Sequence, residues 1–214
     1  MLNIQRFIVN MIEENCYVVN DDTKQAVIID CGAFYPEERK AISDYISGNG
    51  LKPVRLLQTH CHFDHLFGAK FIYDEYGLKP EMETEELPLY ENAPSHGKMF
   101  FGQDLSFEIP PHGQLFKEGD NLSFGSHSLL VIATPGHTPG GVCFYCKEEG
   151  VLFSGDSLFH HEIGRCDLPG GNELSLTSSL KSKILTLPEN VKVLPGHGSA
   201  TTVGEEKRSN PYLK

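Results

Sequence analysis

The chain has 214 residues, 39% of them hydrophobic and 22% charged, enough for one soluble domain with a full core and too apolar for a disordered segment. With 18 Lys and Arg against 29 Asp and Glu, the formal charge of −11 argues against a phosphate-backbone partner, so no nucleic acid is expected, and no obligate protein partner is called for. Apolar runs are too short to span a bilayer, and Met1 to Glu13, with Arg6 as its one base, does not read as a signal peptide; a cytoplasmic protein away from membranes is expected.

In chain order, Ile4 to Val9, Cys16 to Asn20 and Ala26 to Asp30 read as short strands. A helix follows from about Pro36 to Ser47, because Ala41, Ile42, Tyr45 and Ile46 make one apolar stripe between a starting proline and Asn49-Gly50. Val54 to Gln58 is a strand, and a second helix spans about Gly68 to Tyr76. Pro80 to Gly113, rich in Pro, Glu and His, reads as a surface excursion with a short helical piece. Strands resume at Leu122 to Phe124, Leu129 to Ala133, Val142 to Cys146 and Val151 to Ser154. Leu176, Leu180 and Ile184, four apart behind an Asn172 cap, mark a helix, and Val191 to Leu194 a closing strand. Each half is thus strands, a helix and one more strand. Two sheets packed face to face with helices outside would make a four-layer αββα sandwich, an α/β single domain over residues 1–214 with two pseudo-similar halves.

Six cysteines without a secretion signal read as reduced thiols. Cys143 and Cys146 form a CxxC, but three residues apart on a strand they point to opposite faces, which disfavours a redox or zinc role.

Chemistry concentrates in Thr59-His60-Cys61-His62-Phe63-Asp64-His65, directly after an apolar strand. On an extended strand end His60, His62 and Asp64 project to one side, and a turn into the next helix brings His65 beside Asp64. One loop could then serve two metals. His137, Asp156 and His197 each follow a strand and sit beside glycine, which lets the backbone turn sharply and leaves space for a ligand. Imidazole and carboxylate suit zinc, with iron or manganese as alternatives. A metal-bound water with its pKa lowered to about 7 is the expected nucleophile, one metal polarising a carbonyl and the other stabilising the leaving group; a thiolate would leave without a general acid. Asp30, at a strand end before Gly32, is a candidate for orienting a ligand histidine, and Arg165 for meeting a small-molecule substrate's carbonyl or carboxylate, although Asp167 could instead pair with it. His160 and His161 are expected on a loop, and His96, His112 and His127 to be structural or solvated.

On these motifs, together with Asn15-Cys16-Tyr17, Ile29-Asp30-Cys31-Gly32, the run from Gly164 to Asn172 and the ending from Gly204 to Pro211, the chain resembles the metallo-β-lactamase-fold hydrolases, and most their small bacterial glyoxalase II-like branch. The resemblance implies that His60, His62 and His137 hold one metal, that Asp64, His65 and His197 hold the other, and that Asp156 bridges them. It implies hydrolysis of a small thioester or related ester by hydroxide bridging two divalent ions, zinc foremost. Few residues follow His197, where glyoxalase II enzymes carry a glutathione-binding helical domain, so glutathione is not implied as the carrier. The alternative on the same scaffold is a persulfide dioxygenase with one iron on His60, His137 and Asp156. A secreted β-lactamase would have cysteine in place of Asp156 and a signal peptide.

Overall fold

The computed structural model describes residues 1–101 and 106–214. Six strands lie side by side in chain order: β1 (Asn3–Val9), β2 (Glu14–Asn20), β3 (Gln25–Ile29), β4 (Lys52–Leu57), β5 (Pro80–Glu83) and β6 (Leu115–Phe116). The first three are antiparallel, and β3 to β6 run parallel. Parallel neighbours need crossovers, supplied by helices α1 (Pro36–Gly48), α2 (Ala69–Tyr76) and α3 (Leu87–Phe101). The second sheet starts with four antiparallel strands, β7 (Asn121–Phe124), β8 (His127–Ala133), β9 (Val142–Cys146) and β10 (Val151–Gly155). The chain then leaves for a small hairpin, β11 (Leu158–Phe159) and β12 (Glu162–Ile163), and helix α4 (Glu173–Ser179), continued by one wide turn over Leu180–Ile184. It returns as β13 (Lys192–Pro195), parallel to β10, edge strand β14 (Thr201–Thr202) and helix α5 (Val203–Ser209).

Strand periodicity of two dictates the layering, because adjacent residues serve different cores. Val18, Ile28 and Leu56 pack under the first three helices, with Ile42, Ile46, Ile72 and Ala93. Their neighbours Val19, Ile29 and Leu57 face the other sheet and meet Phe144, Phe153 and Leu194. Cys143, Leu152 and Val193 face outward onto Leu176, Leu180, Ile184 and Val203. Three apolar seams therefore separate four layers, helices, sheet, sheet, helices, as expected of a metallo-β-lactamase fold. Burying a side chain as large as Phe144 or Phe153 fully contributes about 1.5–3 kcal/mol. Cys143 and Cys146 sit in different seams, and all six cysteines are free thiols. No helix among the described residues is long and apolar enough to cross a membrane.

The expected strands and the α1, α2 and α4 helices are present to within a few residues, and Asn172 caps α4 by accepting from Ser175 N at 3.0 Å. The reading of Pro80 to Gly113 as a surface excursion is corrected. Met82 on β5 is fully buried, and α3 runs for 15 residues with Tyr90 and Ala93 in the first core. Pro94 lies inside that helix, where its ring forfeits one backbone hydrogen bond and hides the helical signal. Residues 102–105 of the stretch lie outside the described ones. Helix α5, also unforeseen, is seven residues long and capped by Thr202 Oγ1, which accepts from Glu205 N at 3.2 Å.

Candidate metal centre

The ends of β3, β4, β8, β10 and β13 meet at one edge of the sandwich, and Asp30 and the seven candidate ligands each lie just beyond one of them. After β4, Asp30 takes hold of the emerging chain: its carboxylate accepts from Thr59 N at 2.8 Å and Thr59 Oγ1 at 2.6 Å. A short turn over Phe63–His65 then swings His65 beside Asp64, with His65 Nε2 3.5 Å from Asp64 Oδ2. Asn10 steadies the same turn by donating to the Asp64 and Gly32 carbonyls, each at 3.0 Å. Gly32 must be glycine here, since a Cβ would lie 2.1 Å from the Asp64 carbonyl oxygen.

Outer partners aim three of the imidazoles. His137 Nδ1 donates to the Arg165 carbonyl at 2.7 Å, which leaves its Nε2 facing the cavity without a partner, and His197 Nδ1 donates to the Ile12 carbonyl at 3.0 Å while its Nε2 meets Asp64 Oδ2 at 3.2 Å. His60 Nδ1 lies 3.1 Å from Thr59 Oγ1, which itself donates to Asp30, and Asp30 Oδ2 is 3.1 Å from His65 Nδ1, a close contact that makes no hydrogen bond. Asp156 follows Gly155, whose φ of +48° and near-contact with Thr59 Oγ1, 2.2 Å from an added Cβ, admit no side chain.

Two groups of ligand atoms result. His60, His62 and His137 form one and Asp64, His65 and His197 the other, with the ligand atoms of each group within 4.8 Å of one another. The Asp156 carboxylate stands between them: Oδ2 is 3.9 Å from His60 Nε2 and 3.6 Å from both His137 Nε2 and His197 Nε2, while Oδ1 is 3.5 Å from His65 Nε2. All seven residues read from the sequence are thus brought together. His60 Nε2, His65 Nε2, His137 Nε2 and Asp156 Oδ1 are buried without a hydrogen-bond partner. Buried polar atoms left so are costly, and a cluster of them that are all good metal donors fits divalent cations.

Electrostatics favour the same occupant. Burial, then neighbouring imidazoles, hold His60 well below its ordinary pKa, and His62 is pushed down to about 3 by burial and His137. Burial would raise the Asp156 carboxyl, but His65 and His197 outweigh it and hold it well below the carboxylate range. Burial would lower His65 and His197 as well, but Asp64 and Asp156 outweigh it and raise both, so a divalent cation would bind beside the neutral His60 and His62 and displace protons from His65 and His197.

Two functional glutamates escaped the sequence reading. Glu86, fully buried, accepts from Cys61 N at 2.7 Å through one oxygen and from Gly140 N at 2.8 Å through the other. It thereby ties the loop bearing His60 and His62 to the loop bearing His137. Burial raises its pKa. Glu14 is equally buried, its Oε2 accepting from Gly32 N at 3.1 Å and its Oε1 3.9 Å from His65 Nδ1, and burial drives its pKa well up. Nothing in spacing separates Glu86 from Glu83 and Glu85; only burial does.

Beside the centre lies an open cleft of about 500 Å³ walled by Phe159, His160, Glu162, Arg165 and Ser199. The Arg165 guanidinium is gripped by Asp167 through two bonds of 2.8 Å, and its side chain is 57% exposed. The pairing with Asp167 is thus the arrangement the structure holds, and the Arg165 carbonyl serves His137. His160, His161 and Glu206 form a further cluster, but Glu206 is already engaged by His161 N, Thr201 and Asn210. His127 bridges Asp21 and Glu149, a structural place.

Comparison with known proteins agrees with the geometry. The profile of the Metallo-beta-lactamase superfamily matches residues 12–197. Hydroxyacylglutathione hydrolase GloC of Haemophilus influenzae is 35% identical over 213 residues, covering 99% of this chain and 98% of its own length. Among solved structures, the BLEG-1 B3 metallo-beta-lactamase superposes with a TM-score of 0.90 at 34% identity, over 99% of this chain and 100% of that one. TTHA1623, solved in a di-iron-bound form, gives a TM-score of 0.85 at 36% identity, over 98% and 100%.

Proposed function

The chain belongs to the metallo-beta-lactamase superfamily, and from that membership we propose that it is a dinuclear metal-dependent hydrolase of small thioesters or closely related esters. His60, His62 and His137 would hold one cation, Asp64, His65 and His197 the other, and Asp156 would touch both. The single observation carrying this reading is the Asp156 carboxylate, 3.5–3.9 Å from imidazole nitrogens of both groups. Two bound divalent cations would supply a water acidic enough to yield hydroxide near neutral pH and would polarise the substrate carbonyl.

The chain's own residues do the positioning. The carbonyls of Arg165 and Ile12 hold His137 and His197, Thr59 on its Asp30 anchor holds His60, and Glu86 locks the two loops of the first group. No residue need act as a general acid if the leaving group is a thiolate, since thiols ionise near neutral pH. The donor set suits zinc; the di-iron form of TTHA1623 makes iron the competitor. The one-iron dioxygenase reading would employ only His60, His137 and Asp156, leaving a complete second group without work, which favours the dinuclear hydrolase.

A panel of S-acyl thioesters tests the proposal with protein loaded with zinc or with iron. Turnover with two metals per chain, abolished by Asp156→Ala, supports it, and absence of turnover across the panel sinks it. The similarity to BLEG-1 carries a second reading, hydrolysis of a β-lactam amide by the same centre, decided by including a cephalosporin. Persulfide-dependent oxygen uptake by a one-iron form would establish the dioxygenase instead.

A further inference from the structure

The centre opens into two unlike spaces. One is the wider and relatively more polar cleft, where His160, Glu162, Arg165 and Ser199 stand beside Phe159 and Ile163. The other, beyond His62, is a pocket of about 100 Å³ whose walls are chiefly Phe63, Met99, Phe100, Leu168 and Pro169. A space of about 270 Å³ over the ligand groups shares His137, Asp156, Arg165 and His197 with the cleft, and His62, Phe63, Phe100 and Leu168 with the apolar pocket. The three form one groove that crosses the candidate metal centre from a wide polar arm to a narrow apolar one.

The fold makes this asymmetry. Phe63 lies between His62 and Asp64, so the ligand turn itself supplies one apolar wall. Phe100, near the end of α3, brings its ring within 5.4 Å of the Phe63 ring. Leu168 closes the far wall from the loop whose Arg165 carbonyl holds His137.

We infer that the apolar pocket receives the acyl chain of the substrate, an unbranched aliphatic chain of about three or four carbons beyond the carbonyl, while the thiol carrier lies in the polar cleft. This rests on the thioester reading of the same centre. The carbonyl must sit over the cations, and its two substituents point apart, so acyl chain and carrier leave by different arms. A carrier rich in amides and charges needs hydrogen-bond partners, which the polar arm has. The narrow arm offers two imidazoles, His62 and His96, among apolar walls, and suits methylenes. At roughly 30 Å³ for each water-sized group its volume takes three or four of them. Each methylene moved there from water gains about fourfold in affinity, which is ~0.8 kcal/mol at 1.4 kcal/mol per factor of ten.

The test uses zinc-loaded protein and thioesters of one small carrier, N-acetylcysteamine, with straight acyl chains from acetyl to decanoyl. The expected result is kcat/KM rising about fourfold per methylene up to pentanoyl and levelling or falling beyond. Leu168→Ser and Phe100→Ser, at a half-buried and a half-exposed position, should each flatten that rise while leaving zinc content unchanged. Turnover with no dependence on chain length, or a dependence that neither variant alters, overturns the inference and leaves the hydrolase reading standing. Absence of all turnover overturns the thioester reading; binding of straight-chain carboxylates from acetate to decanoate, followed by NMR of the His62 and His96 ring protons, then decides the pocket alone. Affinity rising with chain length in the wild type and flat in both variants keeps it as an alkyl site, and affinity independent of length removes it.

Discussion

Replacing Glu86 by glutamine should weaken one metal position and spare the other. The carboxylate accepts from Cys61 N and Gly140 N through separate oxygens, at 2.7 and 2.8 Å, in a site closed to water. Glutamine keeps the shape but has one acceptor oxygen, so its NH₂ must face one of the two backbone N–H groups. A buried donor left without its acceptor costs about 1–3 kcal/mol. At 1.4 kcal/mol per factor of ten, that cost transmitted to the ligands is a loss of about 5-fold to 150-fold in affinity, in line with the 10-fold to 100-fold typical of residues that support metal ligands. Only the group whose loops Glu86 joins, His60, His62 and His137, should suffer, because Asp64 and His197 are held by Asn10 and the Ile12 carbonyl and His65 lies against Asp30. Competition with a chromophoric chelator, resolving two zinc affinities, is the assay. Equal loss at both positions, or no loss at either with a normal fold by circular dichroism, would refute the reasoning.

Gly196→Ala would set a Cβ 2.2 Å from Asp156 Oδ1 and 2.8 Å from His65 Cε1, so metal content of the purified protein should fall by more than half, while Gly198→Ala, with open space around it but a φ of +74°, should cost stability and leave the metals in place. For Asp21 and His127, 3.0 Å apart, burial opposes both charges, yet hydrogen bonds from Thr23, His127 and Ser126 hold the Asp21 carboxyl low, and Asp21 and Glu149 hold the His127 imidazole high. The Asp21 contribution is present above its unfolded value near 4 and fades as pH falls below it; the His127 contribution is complete below its unfolded value near 6.5 and fades as pH rises past it. Chemical denaturation should therefore find Asp21→Asn most destabilising, by about 1–3 kcal/mol, between about pH 4 and 6.5, with a smaller deficit by pH 9; a deficit independent of pH would contradict the pairing. Native protein should show one readily titrated thiol, the half-buried Cys166, against six after denaturation, since burial pushes Cys143 up to about 11 and leaves the other cysteines inaccessible.

Much of the architecture is legible in the sequence because the strands carry apolar residues on both faces. Val18-Val19, Ile28-Ile29 and Leu152-Phe153 each serve two seams, a pattern that only stacked layers can satisfy. The candidate ligands are legible because chemistry-bearing residues stand directly after such strands, beside the glycines that close approach requires. Where the reading runs out, tertiary contact decides. Pro94 disguises α3, whose other side packs Tyr90 and Ala93 against the first sheet. Glu14 and Glu86 look like surface charges until the backbone amides of Gly32, Cys61 and Gly140 are brought to them from distant loops. The groove over the candidate centre joins Phe63, Phe100 and Leu168 across three separated segments, and no local pattern announces that meeting.

Diffraction from zinc-loaded crystals at the zinc absorption edge examines the shared centre most directly. Two anomalous peaks about 3.5–4 Å apart are expected, one within about 2.1 Å of nitrogens of His60, His62 and His137, the other beside Asp64, His65 and His197, with Asp156 reaching both. A lone peak at full zinc occupancy, or peaks away from Asp156, would contradict a dinuclear hydrolase.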